Sequence, residues 1–294
     1  SISQFLENNG QDIRTLYQSN NCWTSLKRAA GRIAYKDDVI TKRLEKGMAN
    51  LLHHNTASFL HFIELFIDGS KQYLDTKNYK YALMLYYALF QDRLDKTGFA
   101  SIYEALELIH KEMYSYFRQE ISEIISYLLA HLQLKTMPLG EDVLPGLELY
   151  GCYTREEIFT LAGRQTEARK MQGSVTGVFN LSEHNATLLF VTLNKSDKDF
   201  SPSTQYNDYL INEHYFHWQS QNTDSHQNNG GQRYTKQADT QNKIILFVRE
   251  EKKDGYGNTC PFHCFGLVEY MSDFPMNITW KLQQPAMAQY VKAI

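Results

Sequence analysis

Apolar residues repeat with the period of a helix in the first half of the chain and with the period of a strand after Gly173. Ile40, Leu44, Met48 and Leu51, for example, are spaced so that their side chains fall on one face of a helix. The same spacing recurs downstream, with short breaks between the segments. It predicts helices over residues 40–66, 79–94, 99–117 and 120–134, preceded by shorter helices in the first 35 residues.

Short segments after Gly173 are rich in aromatic and β-branched residues and alternate between apolar and polar positions, as strands with one buried face do. The predicted strands cover residues 175–179, 187–193, 215–219, 244–249, 262–270 and 278–282. Because their connections are irregular, we expect a curved antiparallel sheet or a small barrel. The predicted fold class is therefore α+β, with an N-terminal all-α helical bundle followed by a C-terminal β-rich part.

The two patterns meet at a proline and glycine break, Met137-Pro138-Leu139-Gly140, which would end the last helix. A chain of 294 residues has room for two domains, since typical domains hold about 100–200 residues. We therefore predict a helical domain over residues 1–140 and a β-rich domain over residues 141–294. Thr154 and Glu157 match a capping box, which predicts a short helix near the start of the second domain.

Composition excludes several classes of protein. No segment approaches the roughly 18 consecutive apolar residues of a membrane helix, and the four cysteines are too scattered for a disulfide scaffold. The start at Ser1, without a leader, indicates a fragment of a larger protein that is not exported. We therefore expect a cytoplasmic protein without a membrane partner. A net charge of −3 argues against nucleic-acid binding by bulk electrostatics, so any such contact must be local.

The chain contains no phosphate-binding loop, dinucleotide fingerprint, zinc-protease motif or serine-hydrolase motif, so we predict no catalytic residue and no cofactor within it. One alternative stays open at the end of the strand 244–249. There the acid-x-Lys triplet from Glu250 to Lys252 is of the kind that binds a metal and positions a phosphate in nucleases. A solvated strand end explains the same residues.

Two groups of residues contain side chains of metal-binding types. Cys260, His263 and Cys264 would not converge on one ion, because neighbours along a strand point to opposite faces. His53 and His54 have no acid or cysteine nearby in the sequence, which favours packing or polar-surface roles. The sequence therefore predicts no metal site.

The most unusual segment lies between residues 200 and 242. It holds six aromatic residues between positions 200 and 218 and thirteen Asn or Gln between positions 205 and 242. Aromatic faces stack nucleobases, while amides and carboxylates read base edges by paired hydrogen bonds. Alternation along residues 215–219 puts Phe216 and Trp218 on one face and Tyr215 and His217 on the other, so one face would be core and the other available to a ligand.

Several runs in the second half resemble a bacterial domain found at the C-terminus of superfamily-two helicases. The residues that carry the resemblance are Phe190 to Ser196, Asp199 to Pro202, Tyr206 to Tyr209, Phe216 to Gln221, Gly231 to Tyr234 and Leu246 to Arg249. The match is close to type IV, modification-dependent restriction enzymes of the SauUSI kind. Over the helical half it rests mainly on the run from Cys22 to Leu26.

This resemblance implies a helical coupler followed by a reader of the SRA/PUA-like barrel type, which flips a modified base out of the duplex. It implies that helicase and nuclease domains of the same polypeptide, which use ATP and Mg²⁺, accompany this part. The expected partner is double-stranded DNA that carries 5-methylcytosine or 5-hydroxymethylcytosine. A protein interaction or adaptor module of a helicase-containing protein is the alternative.

Candidate site residues follow from the residue types in the unusual segment. Tyr206, Tyr209 and Trp218 would stack the base, and Asp208 would accept from the cytosine N4 amine. The remaining candidates are Gln219, Ser220 and Gln221 for base edges or backbone, and Lys195, Lys198 and Arg233 for phosphates.

Overall fold

The computed structural model describes residues 1–70, 76–171, 176–195, 207–220, 224–225, 227–274 and 277–291. The chain forms two compact units. The helical unit contains Ser1–Thr136 and Glu156–Gln172, and the β-rich unit contains Met137–Arg155 and Gly173–Ile294. The α+β class is confirmed. The observed units differ from the two predicted domains, which were separated by one boundary after residue 140. The segment Glu156–Gln172 lies beyond that boundary but belongs to the helical unit.

The helical unit is built from short and medium helices joined by 3-10 turns. Its helices are α1 (Ile2–Asn9), α2 (Trp23–Ala29), α3 (Val39–Gly47), α4 (Ala57–Ile67), α5 (Thr76–Phe90), α6 (Leu94–Thr97), α7 (Ile102–Glu107), α8 (Ser115–Ala130) and α9 (Arg155–Leu161). The 3-10 turns are Ile13–Asn20, Met48–Leu51, Leu108–His110 and Glu112–Tyr114. Among the described helices, none is both long and apolar enough to cross a membrane.

The single helix predicted over residues 40–66 is wrong. Helix α3 passes into the 3-10 turn Met48–Leu51, and a new helix, α4, begins only after Thr56. The intervening residues, His53-His54-Asn55-Thr56, are all poor helix formers. The spacing of apolar residues does not detect this preference, so it could not reveal the break. The break places His53 and His54 in a turn instead of on a helix face.

A close approach of backbones fixes α3 against α5. A Cβ atom at Gly47 would lie only 2.6 Å from the Cα of Leu89 and 2.8 Å from the carbonyl oxygen of Ala88. Both are backbone atoms, so a larger residue could be accommodated only by moving a helix. Glycine at this position therefore sets the distance between the two helices.

The N-terminus of α2 is capped from a distance. The Glu120 carboxylate on α8 accepts hydrogen bonds from the backbone N–H groups of Trp23 and Thr24, both at 2.7 Å. The Cys22 sulfur accepts from the N–H of Ser25 at 3.3 Å. Together these contacts satisfy the first amides of α2, which have no partner within the helix.

The β-rich unit is organised around one large mixed sheet. Its strands are β3 (Cys152–Tyr153), β4 (Val178–Leu181), β5 (Ala186–Thr192), β6 (Tyr209–Asn212), β7 (Tyr215–Gln219), β8 (Lys243–Arg249), β9 (Phe262–Phe274) and β10 (Asn277–Leu282). The order of the main path is β4-β5-β8-β9-β10-β7-β6, with β3 paired to β9. A separate small ladder joins β1 (Met137–Pro138) to β2 (Glu148–Leu149).

Two details of the sheet differ from the prediction. Strands β5 and β8 pair in parallel, from Ala186 opposite Lys243 to Thr192 opposite Arg249, so the sheet is not purely antiparallel. The pairing of the described strands also forms an open path and does not close into a barrel. A parallel pair needs a long crossover, and such a non-local pairing leaves no signal in the local alternation of either strand.

One face of this sheet carries a large core cluster of the β-rich unit, and β5 and β8 are buried on their other face as well. The largest fully buried side chains of the core cluster include Trp280, Tyr234 and Phe216. Tyr234 belongs to α10 (Asn229–Thr235), which is followed by α11 (Gln237–Thr240). Helix α10 therefore covers this face, and the other side of β6, β7 and β10 is free to carry polar side chains.

Candidate nucleic-acid interface

The alternation predicted for β7 is confirmed. Phe216 and Trp218 are buried, while Tyr215, His217 and Gln219 are only partly buried on the other face. Trp218 packs edge-on against Tyr234 with ring centroids 5.2 Å apart, and its centroid lies 6.1 Å from that of Trp280. With 4% of its surface exposed, Trp218 is a core residue. This geometry does not support the stacking role predicted for Trp218, because its ring already contacts other rings.

On the opposite face, an exposed tyrosine stacks on a histidine. Tyr209 on β6 and His217 on β7 are directly opposite in the ladder, with ring centroids 4.6 Å apart and planes inclined by 26°. Thr279 of β10 follows in the same cross-strand row, and Ser272 of β9 follows Thr279. Tyr209 is 45% exposed. The row therefore places an aromatic and imidazole platform at the outer end of a polar strip.

A groove of about 410 Å³ opens beside this platform. Its lining residues are His217, Ser272, Asp273, Asn277 and Thr279. This volume lies in the lower part of the roughly 300–1,000 Å³ range of ligand pockets, but the groove is open to solvent and not enclosed. The lining offers a carboxylate, an amide and two hydroxyls, which are the donors and acceptors that read the edge of a base.

Asp208 and Lys195 are engaged with each other. The Lys195 ammonium donates to Asp208 Oδ2 at 2.6 Å, and the two side chains are 9% and 2% exposed. Asp208 Oδ1 accepts from the backbone N–H of Gln219 at 2.9 Å. The predicted roles, a base-edge acceptor and a phosphate contact, would both require this buried pair to open. The geometry instead indicates that this ion pair links the chain after β5 to the start of β6.

The other predicted residues fall in three places. Gln219 lies at the end of β7, where its side-chain oxygen accepts from the N–H of Asn207 at 3.3 Å. Ser220 is buried, and its hydroxyl has no hydrogen-bond partner within the described residues. Arg233 is half-buried beside the phenol of Tyr234, on the helix that covers the opposite face from Tyr209. Tyr206, Lys198 and Gln221 lie outside the described residues.

Sequence reasoning missed most of the groove. The alternation placed His217 and Trp218 on opposite faces without saying which face was available, and His217, Ser272, Asp273, Asn277 and Thr279 were not proposed as site residues. Asn277 and Thr279 alternate with the buried Ile278 and Trp280, so their exposure could have been predicted from the strand pattern. Their position beside His217 depends on the pairing of β10 with β7, which joins segments about 60 residues apart and is not encoded locally.

The helical unit contains a second cluster of functional side-chain types. His53 Nε2 lies 2.9 Å from Glu157 Oε2, and His54 Nε2 lies 3.2 Å from Glu157 Oε1. Burial opposes the charge on Glu157, but the two imidazoles beside it hold the pKa of this carboxyl below its ordinary value. Burial, with the neighbouring His53, lowers the pKa of His54. The carboxylate predicted to complete a capping box thus faces two histidines about 100 residues earlier.

The fold and the groove define an α+β protein whose β-rich unit presents an aromatic and imidazole platform next to a polar groove. Residues 147–292 match the family model described as "Domain of unknown function (DUF3427)". The match spans most of the β-rich unit together with the segment Glu156–Gln172. No curated protein matches the chain.

Proposed function

We propose that the β-rich unit recognises 5-methylcytosine or 5-hydroxymethylcytosine in duplex DNA by base flipping. In this proposal the chain is the target-recognition part of an ATP-dependent type IV restriction endonuclease. The helicase and nuclease domains of the same polypeptide supply ATP hydrolysis and Mg²⁺-dependent chemistry. The observation that carries the proposal is the stacking of the exposed Tyr209 on the partly buried His217, next to a groove of about 410 Å³.

Stacking on this platform would offset the cost of extracting the base. Flipping costs a few kcal/mol, and each stacked aromatic contributes about 1–3 kcal/mol. Of the two predicted stacking residues that the structure describes, Tyr209 and Trp218, only Tyr209 keeps that role in the proposal, because it is the exposed ring. Asp273, on the groove wall, takes the role of acceptor for the cytosine N4 amine in this proposal, since Asp208 is buried in its ion pair with Lys195. Asp273 Oδ1 already accepts a hydrogen bond from the Tyr270 hydroxyl, so the amine would share this carboxylate with Tyr270.

In this proposal the β-rich unit is related to SRA/PUA-like readers, which have a barrel. The described strands leave the sheet open, so the relation would be to an open-sheet form of that fold. Methyl recognition must then come from the groove wall and the surrounding context. One buried methyl group is worth only about 1 kcal/mol, or about fivefold in affinity.

The proposal is tested by measuring fluorescence anisotropy of labelled duplexes that carry cytosine, 5-methylcytosine or 5-hydroxymethylcytosine at one position. We expect the full chain to prefer the modified duplexes. Tyr209→Ala should weaken modified-DNA binding by about 5-fold to 150-fold, the equivalent of 1–3 kcal/mol of stacking. A 2-aminopurine placed beside the modified base should brighten on binding to the wild-type chain and less so on binding to Tyr209→Ala.

Tyr256→Ala is the matched control. Tyr256 is 47% exposed, against 45% for Tyr209, and lies in the turn between β8 and β9. Its removal should leave affinity and 2-aminopurine fluorescence unchanged. Equal binding of modified and unmodified duplexes by the wild-type chain would refute the proposal. If the two tyrosine substitutions had equal effects, the stacked Tyr209 and His217 would have no specific role in DNA binding.

The exposed edge of the sheet favours a second candidate, a protein interaction module. In the described part of the chain, β6 pairs with β7 on one side only, and it exposes Ile211 as well as Tyr209. An unpaired edge can take up a strand from a partner protein. This candidate predicts no DNA affinity even at low salt. It also predicts that Ile211→Lys weakens association with the helicase domain of the same polypeptide.

A further inference from the structure

Three side chains with metal-binding atoms converge inside the helical unit. His53 and His54 lie in the turn that precedes α4, and Glu157 lies in the first turn of α9. One ligand atom from each, the Nε2 or Nδ1 of each imidazole and a carboxylate oxygen, can be chosen so that all three lie within 4.8 Å of one another. The three residues come from two parts of the chain that are 104 residues apart.

Two of the three spacings between these atoms are close to those of ligands around one small cation. Two ligands of a tetrahedral zinc ion, each about 2.0–2.1 Å from the metal, are roughly 3.3 Å apart. The distances from Glu157 oxygens to the imidazole nitrogens are 2.9 Å for His53 and 3.2 Å for His54. An ion between them would replace the direct contacts that Glu157 makes with the two imidazoles.

The buried imidazole of His54 has hydrogen-bonding capacity that the described residues do not use. Its side chain is 1% exposed; Nε2 lies 3.2 Å from Glu157 Oε1, while Nδ1 has no hydrogen-bond partner within the described residues. A buried polar group without a partner is costly, and native structures rarely retain one without a reason. Coordination to a metal would use the lone pair of one ring nitrogen and give that atom a partner, while the other nitrogen carries the N–H.

The surroundings are closed and suit a structural ion. The Glu157 side chain is 10% exposed and that of His53 is 16% exposed. The His54 ring packs edge-on against Phe59 with centroids 4.5 Å apart, which limits its rotation. Residues 158 to 161, which follow Glu157 on α9, are all buried. A metal here would fasten the start of α9 to the turn before α4 within the helical unit.

We propose that His53, His54 and Glu157 bind one divalent transition-metal ion of the zinc type, with a fourth position for a water molecule. Two neutral imidazoles and one carboxylate form a borderline donor set that suits zinc and its neighbours better than Mg²⁺ or Ca²⁺. The site is independent of the proposed DNA-binding groove, which lies in the other unit. Its role is structural, since it joins two segments of the helical unit.

The experiment uses the full chain, stripped with a chelator, reloaded with Zn²⁺ and passed through a desalting column. Inductively coupled plasma mass spectrometry should find one zinc per chain. Glu157→Gln and His53→Gln should each reduce zinc affinity by at least 100-fold in a competition titration with a chromogenic chelator. His61→Gln is the matched control, because His61 is 58% exposed and contacts Glu64, outside the cluster. That variant should retain its zinc.

Two further measurements separate a specific site from a structural ion pair. Co²⁺ should give the visible absorption of a four-coordinate ion in the wild-type chain and not in Glu157→Gln. Zn²⁺ should raise the melting temperature of the wild-type chain, while Mg²⁺ should not. Absence of retained zinc in the wild-type chain overturns the proposal. Equal zinc content in wild type and in a folded Glu157→Gln or His53→Gln variant overturns it as well.

Discussion

At the scale of single residues, the candidate site depends on which aromatic rings are free. The sequence places Tyr209 and Trp218 in the same aromatic segment, and residue type alone cannot separate them. The structure separates them by strand face, since Trp218 contacts Tyr234 in the core and Tyr209 stacks on His217 in solvent. A residue that can stack a base must keep one ring face open, and this condition is met by Tyr209.

The buried pair of Lys195 and Asp208 is expected to be coupled strongly. Asp208→Asn leaves the ammonium of Lys195 buried without its counter-charge, which should lower the free energy of unfolding by about 3–5 kcal/mol. Lys195→Met should be costly for the converse reason. The double variant should lose clearly less than the sum of the two single losses, because no unpaired charge remains.

Urea denaturation of the four proteins in this cycle measures the coupling. Asp239→Asn is the control, because Asp239 is an exposed carboxylate on α11. It should change the free energy of unfolding by less than about 0.5 kcal/mol, as surface substitutions usually do. Additive losses in the double variant would show that the two side chains do not interact in solution.

At the scale of elements, the sequence predicted strands better than helices. The bounds of β7 matched the prediction at both ends, because aromatic and polar residues alternate there without a break. Strand β6 was missed, since three of its four residues are exposed and it has no alternation to detect. The break after Leu51 was also missed, because apolar spacing continues through residues that do not favour a helix. The spacing of apolar residues thus indicates which side chains are buried, and it indicates the backbone conformation only indirectly.

The remote cap of α2 gives a prediction with a defined pH dependence. Burial raises the pKa of Glu120 above its ordinary value of 4.5, against the effect of the hydrogen bonds it accepts. A raised carboxyl pKa means that the folded state binds the proton more tightly than the unfolded state. The stabilisation is therefore complete below pH 4.5 and is lost as the pH rises through the raised pKa. The free energy of unfolding of the wild type, relative to Glu120→Gln, should fall over that range.

Glu120→Gln should also destabilise at every pH by about 1–3 kcal/mol, because the amide can accept from only one of the two N–H groups at Trp23 and Thr24. Denaturant titrations of both proteins at several pH values between 4 and 8 measure the two effects together. Glu7→Gln, at an exposed position on α1, serves as control for general charge effects. A difference between wild type and Glu120→Gln that stays constant or grows with pH would contradict the assignment.

At the scale of the whole molecule, the chain passes between its two units three times. The segment Glu156–Gln172 belongs to the helical unit although it follows strands of the β-rich unit. Within the helical unit it contributes Glu157 to the two histidines, and the Tyr79 hydroxyl donates to Glu167 at 2.9 Å. These contacts join residues roughly 90–100 positions apart, so the proline and glycine break near residue 138 was the only boundary visible in the sequence.

A pair of fragments tests this organisation. Residues 1–136 lack the segment that carries the buried Ile158, Phe159 and Leu161, so part of the apolar surface of the helical unit would face water. Each such side chain is worth about 1.5–3 kcal/mol when buried. Residues 1–172 keep the segment, and should therefore unfold cooperatively at a clearly higher temperature than residues 1–136, as followed by circular dichroism.

A third fragment, 1–172 with Phe159→Asp, should melt near the shorter fragment, because a charge at this buried position would expel the segment. Equal melting temperatures for 1–136 and 1–172 would mean that Glu156–Gln172 adds no stability to the helices, and the division of the chain into these two units would then be wrong.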